Sequence, residues 1–162
     1  MIRLKGVLLE DFCNYQKPSM FLITCFCNWK CCLEQNLDKS VCQNEPVYRQ
    51  PIKEFTEEQI YKAYIKNDIT KAVVIGGLEP LLQEEEIYNL IKYFRDNGCN
   101  DEFVIYTGYT EEEVLEKYTK ILSFNNIIFK FGRYIPNNKS HFDNVLGIEL
   151  VSDNQYGKKF NF

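Results

Sequence analysis

The sequence predicts an α/β fold whose sheet is mostly parallel and faced by helices. Three observations predict it. Short β-branched or aromatic runs alternate with segments of helical periodicity, the alternation from which parallel sheets are built. Two of the strand-like runs lead into glycine-bearing turns, at Gly76-Gly77 and Thr107-Gly108. The chain has 162 residues, 45% of them hydrophobic and 26% charged. That length and composition suit one folded unit spanning residues 1–162 with a core of its own.

Each element has a local reason. Leu4 to Glu10 is apolar and β-prone, and Asp11 to Ser19 reads as a loop around Asn14, Tyr15 and Pro18. Met20 to Thr24 is a continuous apolar run, the mark of a buried strand. It delivers the chain into a cysteine-rich loop from Cys25 to about Cys42. Gln43 to Pro51 carries two prolines and reads as a connection. Thr56-Glu57-Glu58-Gln59 has the form of a capping box and opens a helix to about Lys66. Lys71 to Ile75 is a β-branched strand. A helix follows from about Leu82 to Asp96, with Ile87, Leu90, Ile91 and Phe94 on one face and Asn97-Gly98 as its stop. Glu102 to Tyr106 is the next strand, Thr110 caps a helix over Glu111 to Leu122, and Asn126 to Phe131 is a further strand. A polar loop, Pro136 to Phe142, precedes a last apolar run, Val145 to Val151. Right-handed crossovers place the strand C-termini on one edge. The cysteine loop, Gly76-Gly77 and Thr107-Gly108 are expected to gather there.

Composition removes several functional classes. The formal net charge is −4, whereas nucleic-acid proteins show a basic face, so no nucleic-acid partner is expected. The longest apolar run, Met20 to Cys27, falls far short of the ~20 residues of a membrane span, so no membrane association is expected. Met1 to Gly6 lacks the apolar core of a secretion signal, and a cytoplasmic setting is expected. In such a reducing setting seven cysteines are a poor disulfide framework. Cys13 and Cys99 stand alone and read equally well as small core hydrophobes. Cys25, Cys27, Cys31, Cys32 and Cys42 form a cluster that suits soft-metal chemistry: an iron–sulfur centre or structural zinc. No tidy pair of Cys-x2-Cys motifs supports zinc. His141, the one histidine, lies in a polar loop and reads as a surface residue; Glu84 to Glu86 and Glu111 to Glu113 suit helix starts.

The cysteine loop, Cys27-Asn28-Trp29-Lys30-Cys31, resembles the first two cysteines of the radical S-adenosylmethionine (SAM) cluster loop, which runs Cys-x3-Cys-x2-Cys. Further motifs follow in order along the chain. Glu10-Asp11-Phe12-Cys13-Asn14 resembles the acidic run before the first core strand. Gly76-Gly77-Leu78-Glu79-Pro80-Leu81 resembles the Gly-Gly-acid-Pro-Leu motif. Tyr106-Thr107-Gly108-Tyr109-Thr110, then Glu111-Glu112, is close to a Thr-Gly-Tyr-Thr segment. Gly132-Arg133-Tyr134-Ile135 and Ser152-Asp153-Asn154-Gln155 resemble two C-terminal signatures. Together they cover almost the whole chain, and the likeness is greatest to the activating proteins of anaerobic ribonucleotide reductase.

That resemblance implies a partial (β/α) barrel, a [4Fe–4S] cluster and SAM. It implies that the cluster donates one electron to SAM, which splits to methionine and a 5′-deoxyadenosyl radical. The radical takes hydrogen from a glycine of the reductase catalytic subunit, and a flavodoxin- or ferredoxin-like protein supplies electrons. Gly76, Gly77 and Glu79 would hold SAM, with Thr107 and Tyr109 on its other side. The chain departs from the pattern twice. Glu34 stands where the third cysteine belongs, and a carboxylate is a hard ligand for a soft site; Cys27, Cys31 and Cys42 are the expected ligands, with Cys32 next. Cys25, two residues before Cys27, is expected to point the same way on a strand. Leu78 is inserted between the glycine pair and Glu79, where it bulges the strand end or spoils the site. Two other readings stay open: an iron–sulfur relative that transfers electrons or senses redox state without cleaving SAM, and a zinc-stabilised interaction module.

Overall fold

The structure, a computed structural model, describes residues 1–160. Its nine strands are β1 (Ile2–Asp11), β2 (Ser19–Thr24), β3 (Lys53–Phe55), β4 (Ala72–Gly76), β5 (Glu102–Tyr106), β6 (Ile127–Phe131), β7 (His141–Asp143), β8 (Ile148–Leu150) and β9 (Tyr156–Phe160). Its helices are α1 (Lys30–Leu33), α2 (Glu45–Tyr48), α3 (Glu57–Ile65), α4 (Glu84–Asp96) and α5 (Glu111–Lys117). Seven strands form an open sheet in the order β3-β1-β2-β4-β5-β6-β9, and β7 and β8 form a separate hairpin. The central four, β2, β4, β5 and β6, are parallel, and antiparallel strands flank them on both sides.

The parallel strands β2, β4, β5 and β6 follow one another in a single direction across the sheet, with β3 added at the far edge beside β1. Right-handed crossovers that all step one way keep their helices on one face. The packing shows this. Ile60 and Tyr64 of α3, Ile87, Leu90, Ile91 and Phe94 of α4 and Val114 of α5 share one core with Val73, Ile75, Phe103, Ile105, Ile127 and Phe129. The alternate strand residues, Ala72, Val74, Val104 and Ile128, pack on the opposite face beneath Tyr15, Leu146 and Leu150. Both β4 and the centre of β5 are buried on both faces, which is why their sequences read as unbroken apolar runs.

Local signals set most boundaries. Thr56 and Thr110 close capping boxes with Gln59 and Glu113, and the two acidic triplets occupy the first turns of α4 and α5. Four features differ from the sequence reading. Strand β3 lies within a stretch with too few apolar residues to show alternation. Strand β9 hides behind Gly157, Lys158 and Lys159; lysines are a usual device on a sheet edge. The expected polar loop before Phe142 ends in β7, where His141 Nε2 lies 2.7 Å from the Gln155 carbonyl. Helix α5 stops at Tyr118 instead of Leu122, where the Tyr118 ring meets that of Tyr109 at 5.2 Å. Among the described residues no helix is long and apolar enough to cross a membrane.

Candidate metal and cofactor centre

The C-termini of the parallel strands open into a cavity of about 140 Å³, against the ~10–15 Å³ that admits one water. One wall carries Cys27, Cys31, Cys32 and Cys42; the other carries Gly77, Leu78 and Glu79 from the end of β4, and Thr107, Gly108 and Tyr109 from the end of β5. Lys130 and Arg133 also line the cavity.

The glycine turn is tied to the cysteine segment by polar contacts. Thr24, the last residue of β2, donates its hydroxyl to the Gly76 carbonyl at 2.8 Å and accepts the Leu78 amide at 3.1 Å. The Glu79 amide donates to the Phe26 carbonyl at 2.7 Å. Gly77 sits at φ +94°, and a Cβ there would meet Ile23 Cγ2 at 2.8 Å. A glycine is therefore required on both conformational and steric grounds. The inserted Leu78 is absorbed by this turn and packs away from solvent. Gly76 itself lies beneath the turn, against Phe21 and Tyr106, and is not part of the cavity wall.

Glu79 is a 7% exposed carboxylate with both oxygens engaged. It accepts from Thr107 Oγ1 at 2.8 Å, from the Gly108 amide at 2.9 Å and from the Leu81 amide at 3.1 Å. Burial pushes its pKa up, opposed by those same three donors. Thr107 Oγ1 in turn accepts the Tyr109 amide at 3.0 Å. Tyr109 accepts a hydrogen bond from Asn28 Nδ2 at 2.7 Å, and the Lys30 ammonium and the Arg133 guanidinium lie 5.1 and 5.4 Å from its ring centre.

The thiols differ in their surroundings. Burial pushes Cys27 up to about 11, against the Trp29 amide, and Cys31 and Cys42 also act on it electrostatically. Burial raises Cys31 as well, opposed by the Tyr134 backbone and Arg133. Both line the same cavity as Cys42. Among the described residues, no three His, Cys, Asp or Glu side chains form a ligand set for a single metal ion; four thiols line the cavity without converging on one point. Cys25 is a correction. The strand ends at Thr24, and the Cys25 thiol turns inward to the Arg3 carbonyl at 3.3 Å and Gln83 Nε2 at 3.7 Å. Cys13 is exposed and Cys99 half-buried, so the reading of Cys13 as a core residue fails.

Glu34 does not face the cavity. Arg133 grips it with two bonds, Nε to Oε2 at 2.9 Å and Nη2 to Oε1 at 3.1 Å. This contact holds the Glu34 carboxyl below its ordinary pKa. Arg133 also binds Glu113 and the Gly108 carbonyl, and Lys30 binds Glu113. Gln35 adds bonds to the Cys31 and Tyr134 carbonyls at 2.7 and 2.9 Å. These contacts clasp the cysteine segment to the loops after β5 and β6.

Residues 16–155 match the family described as a 4Fe–4S single cluster domain. The chain belongs to that family. This 4Fe–4S domain family is a radical-SAM-associated one, so an iron–sulfur cluster is the cofactor to set against the thiol-lined cavity. No curated protein and no solved structure matches the chain.

Sequence reasoning overlooked Lys130 and the clasp around Arg133. Lys130 faces the cavity with its ammonium over the Tyr106 ring at 5.7 Å, and burial pulls its pKa down to about 8. Its signal was present: a single charge inside the otherwise apolar run of β6.

Proposed function

We propose that this chain is a radical SAM activating enzyme. It generates a glycyl radical on the catalytic subunit of anaerobic ribonucleotide reductase, and a flavodoxin- or ferredoxin-like protein reduces it. One observation carries this reading: a single cavity is lined by four thiols, by the glycine–carboxylate turn and by the Thr107–Tyr109 segment. The implied partial (β/α) barrel accords with parallel strands that step one way beneath helices on one face.

The donor set fits a cluster. Thiolates are the soft ligands that iron–sulfur centres take, and the cysteines of a cluster bind different irons, so they ring it. Cys27, Cys31 and Cys42 are the proposed ligands, with Cys32 the alternate. Glu34, turned outward to Arg133, takes no part. When bound, the reduced cluster supplies one electron to the SAM sulfonium. The protein binds and orients. The Gly77 turn leaves open backbone at the wall, which Thr24 and Phe26 hold in place. Glu79 fixes the Thr107–Gly108 turn opposite, and Lys130 brings a positive charge suited to an amino-acid carboxylate.

The test is purification without oxygen, reconstitution with iron and sulfide, reduction, and addition of SAM. The expected result is an EPR spectrum that changes with SAM, together with 5′-deoxyadenosine. A second reading, electron transfer or redox sensing without SAM cleavage, is favoured by the outward turn of Glu34, which leaves the linear cysteine motif one ligand short. A cluster indifferent to SAM supports that reading, and bound zinc without iron overturns both.

A further inference from the structure

Among the described residues, positive φ falls on Gly77, Gly98, Gly132 and Gly147, on Asn36, Asn126 and Asn137, and on Trp29. Glycine and asparagine accept the left-handed region readily, whereas a bulky side chain there is an outlier. Strained backbone of this kind collects at functional sites. Trp29 has φ 60° and ψ 23°.

This turn has two consequences. The Trp29 amide points at Cys27 Sγ, 3.2 Å away. Its carbonyl accepts the amides of Cys32 and Leu33, at 3.0 and 2.9 Å, and so starts the helical turn that carries Cys31 and Cys32. The ring anchors the strained residue. It is 7% exposed, meets the Tyr48 ring edge-on at 5.3 Å, and has the Lys39 ammonium 5.2 Å from its centre. Tyr48 is itself placed by Lys5, whose ammonium donates to the Tyr48 carbonyl at 2.9 Å.

We propose that the left-handed backbone at Trp29 positions the Cys27 sulfur: the turn aims an amide hydrogen at Sγ and raises the reduction potential of a cluster bound through that sulfur. This rests on the iron–sulfur reading of the cavity. Hydrogen bonds to ligand sulfurs are among the factors that set cluster potentials. A donor stabilises the more negative, reduced state, so its loss moves the potential negative.

Two substitutions separate this role from simple packing. Trp29→Gly deletes the ring but keeps the amide and tolerates positive φ. Trp29→Val keeps apolar bulk, but its β-branched side chain disfavours positive φ. If the ring only fills space, glycine is the worse replacement. If the backbone turn is what matters, valine is worse.

The measurements are the midpoint potential of the reconstituted cluster and iron retention against a chelator, with the melting temperature of the iron-free protein as a control for folding. The expected result is a Trp29→Gly potential close to that of the unaltered chain. Trp29→Val is expected to give a more negative potential and a roughly tenfold weaker hold on iron. Trp29→Asn is expected to follow glycine. If valine does not fold, Trp29→Ala, whose Cβ also disfavours this turn, repeats the comparison. Equal potentials in all variants, or glycine worse than valine, overturn the proposal while leaving the cluster in place. An unaltered chain that takes up no iron overturns the cluster reading and the proposal with it.

Discussion

On the strand side of the cavity, Glu79 receives three hydrogen bonds from fixed positions at the ends of β4 and β5, and Gly77 is wedged against Ile23. On the cysteine side, the segment between β2 and β3 is built from two four-residue helices and a short 3-10 turn. Leu33, Val41, Tyr48 and Ile52 all reach solvent there. The strand side is held by the parallel sheet itself. The cysteine side is held by side-chain clasps: Arg133 on Glu34, Gln35 on the Tyr134 carbonyl, and the ring of Trp29 on Tyr48. One wall is therefore expected to be rigid before any cofactor arrives. The other is expected to gain much of its stability from one, since metal-binding free energy is folding free energy where the site is weakly preformed.

Breaking the rigid wall has the largest expected effect. Glu79→Ala leaves the Thr107 hydroxyl and the Gly108 and Leu81 amides without their acceptor. Burying unpaired donors costs about 1–3 kcal/mol each where water cannot replace the partner. We expect a loss of about 3 kcal/mol in urea unfolding of the iron-free protein. Gly77→Ala comes next, at about 2 kcal/mol, because it places a Cβ at φ +94° and 2.8 Å from Ile23 Cγ2. Neither cost is expected to shrink on reconstitution. An unchanged urea midpoint for either variant would mean that the strand wall is as yielding as the other.

The cysteine wall is expected to answer oppositely, with small effects on the iron-free fold and large ones on iron. Cys42→Ser is expected to change the unfolding midpoint of the iron-free chain little while removing most of the bound iron, and Cys27→Ser and Cys31→Ser likewise. Cys13→Ser, altering an exposed thiol, is expected to change neither. If Cys42→Ser keeps its iron and Cys32→Ser loses it, the third ligand is Cys32. Gly108→Ala links the two walls: its Cβ would lie 2.9 Å from Cys31 Sγ and 3.6 Å from Glu79 Oε2. Iron retention there is expected to fall more than stability does.

The same contrast governs what could be read from the sequence. The strand wall was legible because its causes are local. The β-branched runs of β4 and β5 mark buried strands, the hydroxyls of Thr56 and Thr110 mark helix starts, and Gly77 marks a turn that only glycine fits. The gathering of these turns on one edge followed from the strands being parallel. The cysteine wall was legible only as a count of thiols. Arg133 and Glu34 are 99 residues apart, and no pattern near either one announces the pair. Cys25 looked like Cys27 because both were placed on one strand, and the strand ends at Thr24. Strands β3 and β9 were missed because edge strands carry charge where central ones carry valine. Lys130 was absorbed into the strand that bears it.

The smallest expected effect concerns the clasp and acid. Arg133 and Lys30 hold the Glu113 carboxyl down to about 2, from an ordinary value of 4.5, against the opposing influence of burial. Its folded pKa lies below the unfolded one, so the folded state holds fewer protons over that interval. The contribution is therefore fully present above about pH 4.5 and is lost as pH falls toward 2. Glu34 shifts in the same direction for the same reason. The melting temperature of the iron-free protein is expected to fall between pH 5 and 3 more steeply than that of Glu113→Gln, which has no such charge to lose. Above pH 6 the variant is expected to melt slightly lower than the unaltered chain. If the two profiles run parallel down to pH 3, the Glu113 ion pairs contribute nothing to the fold, and the cysteine wall is held by the remaining contacts of Glu34, Gln35 and Trp29.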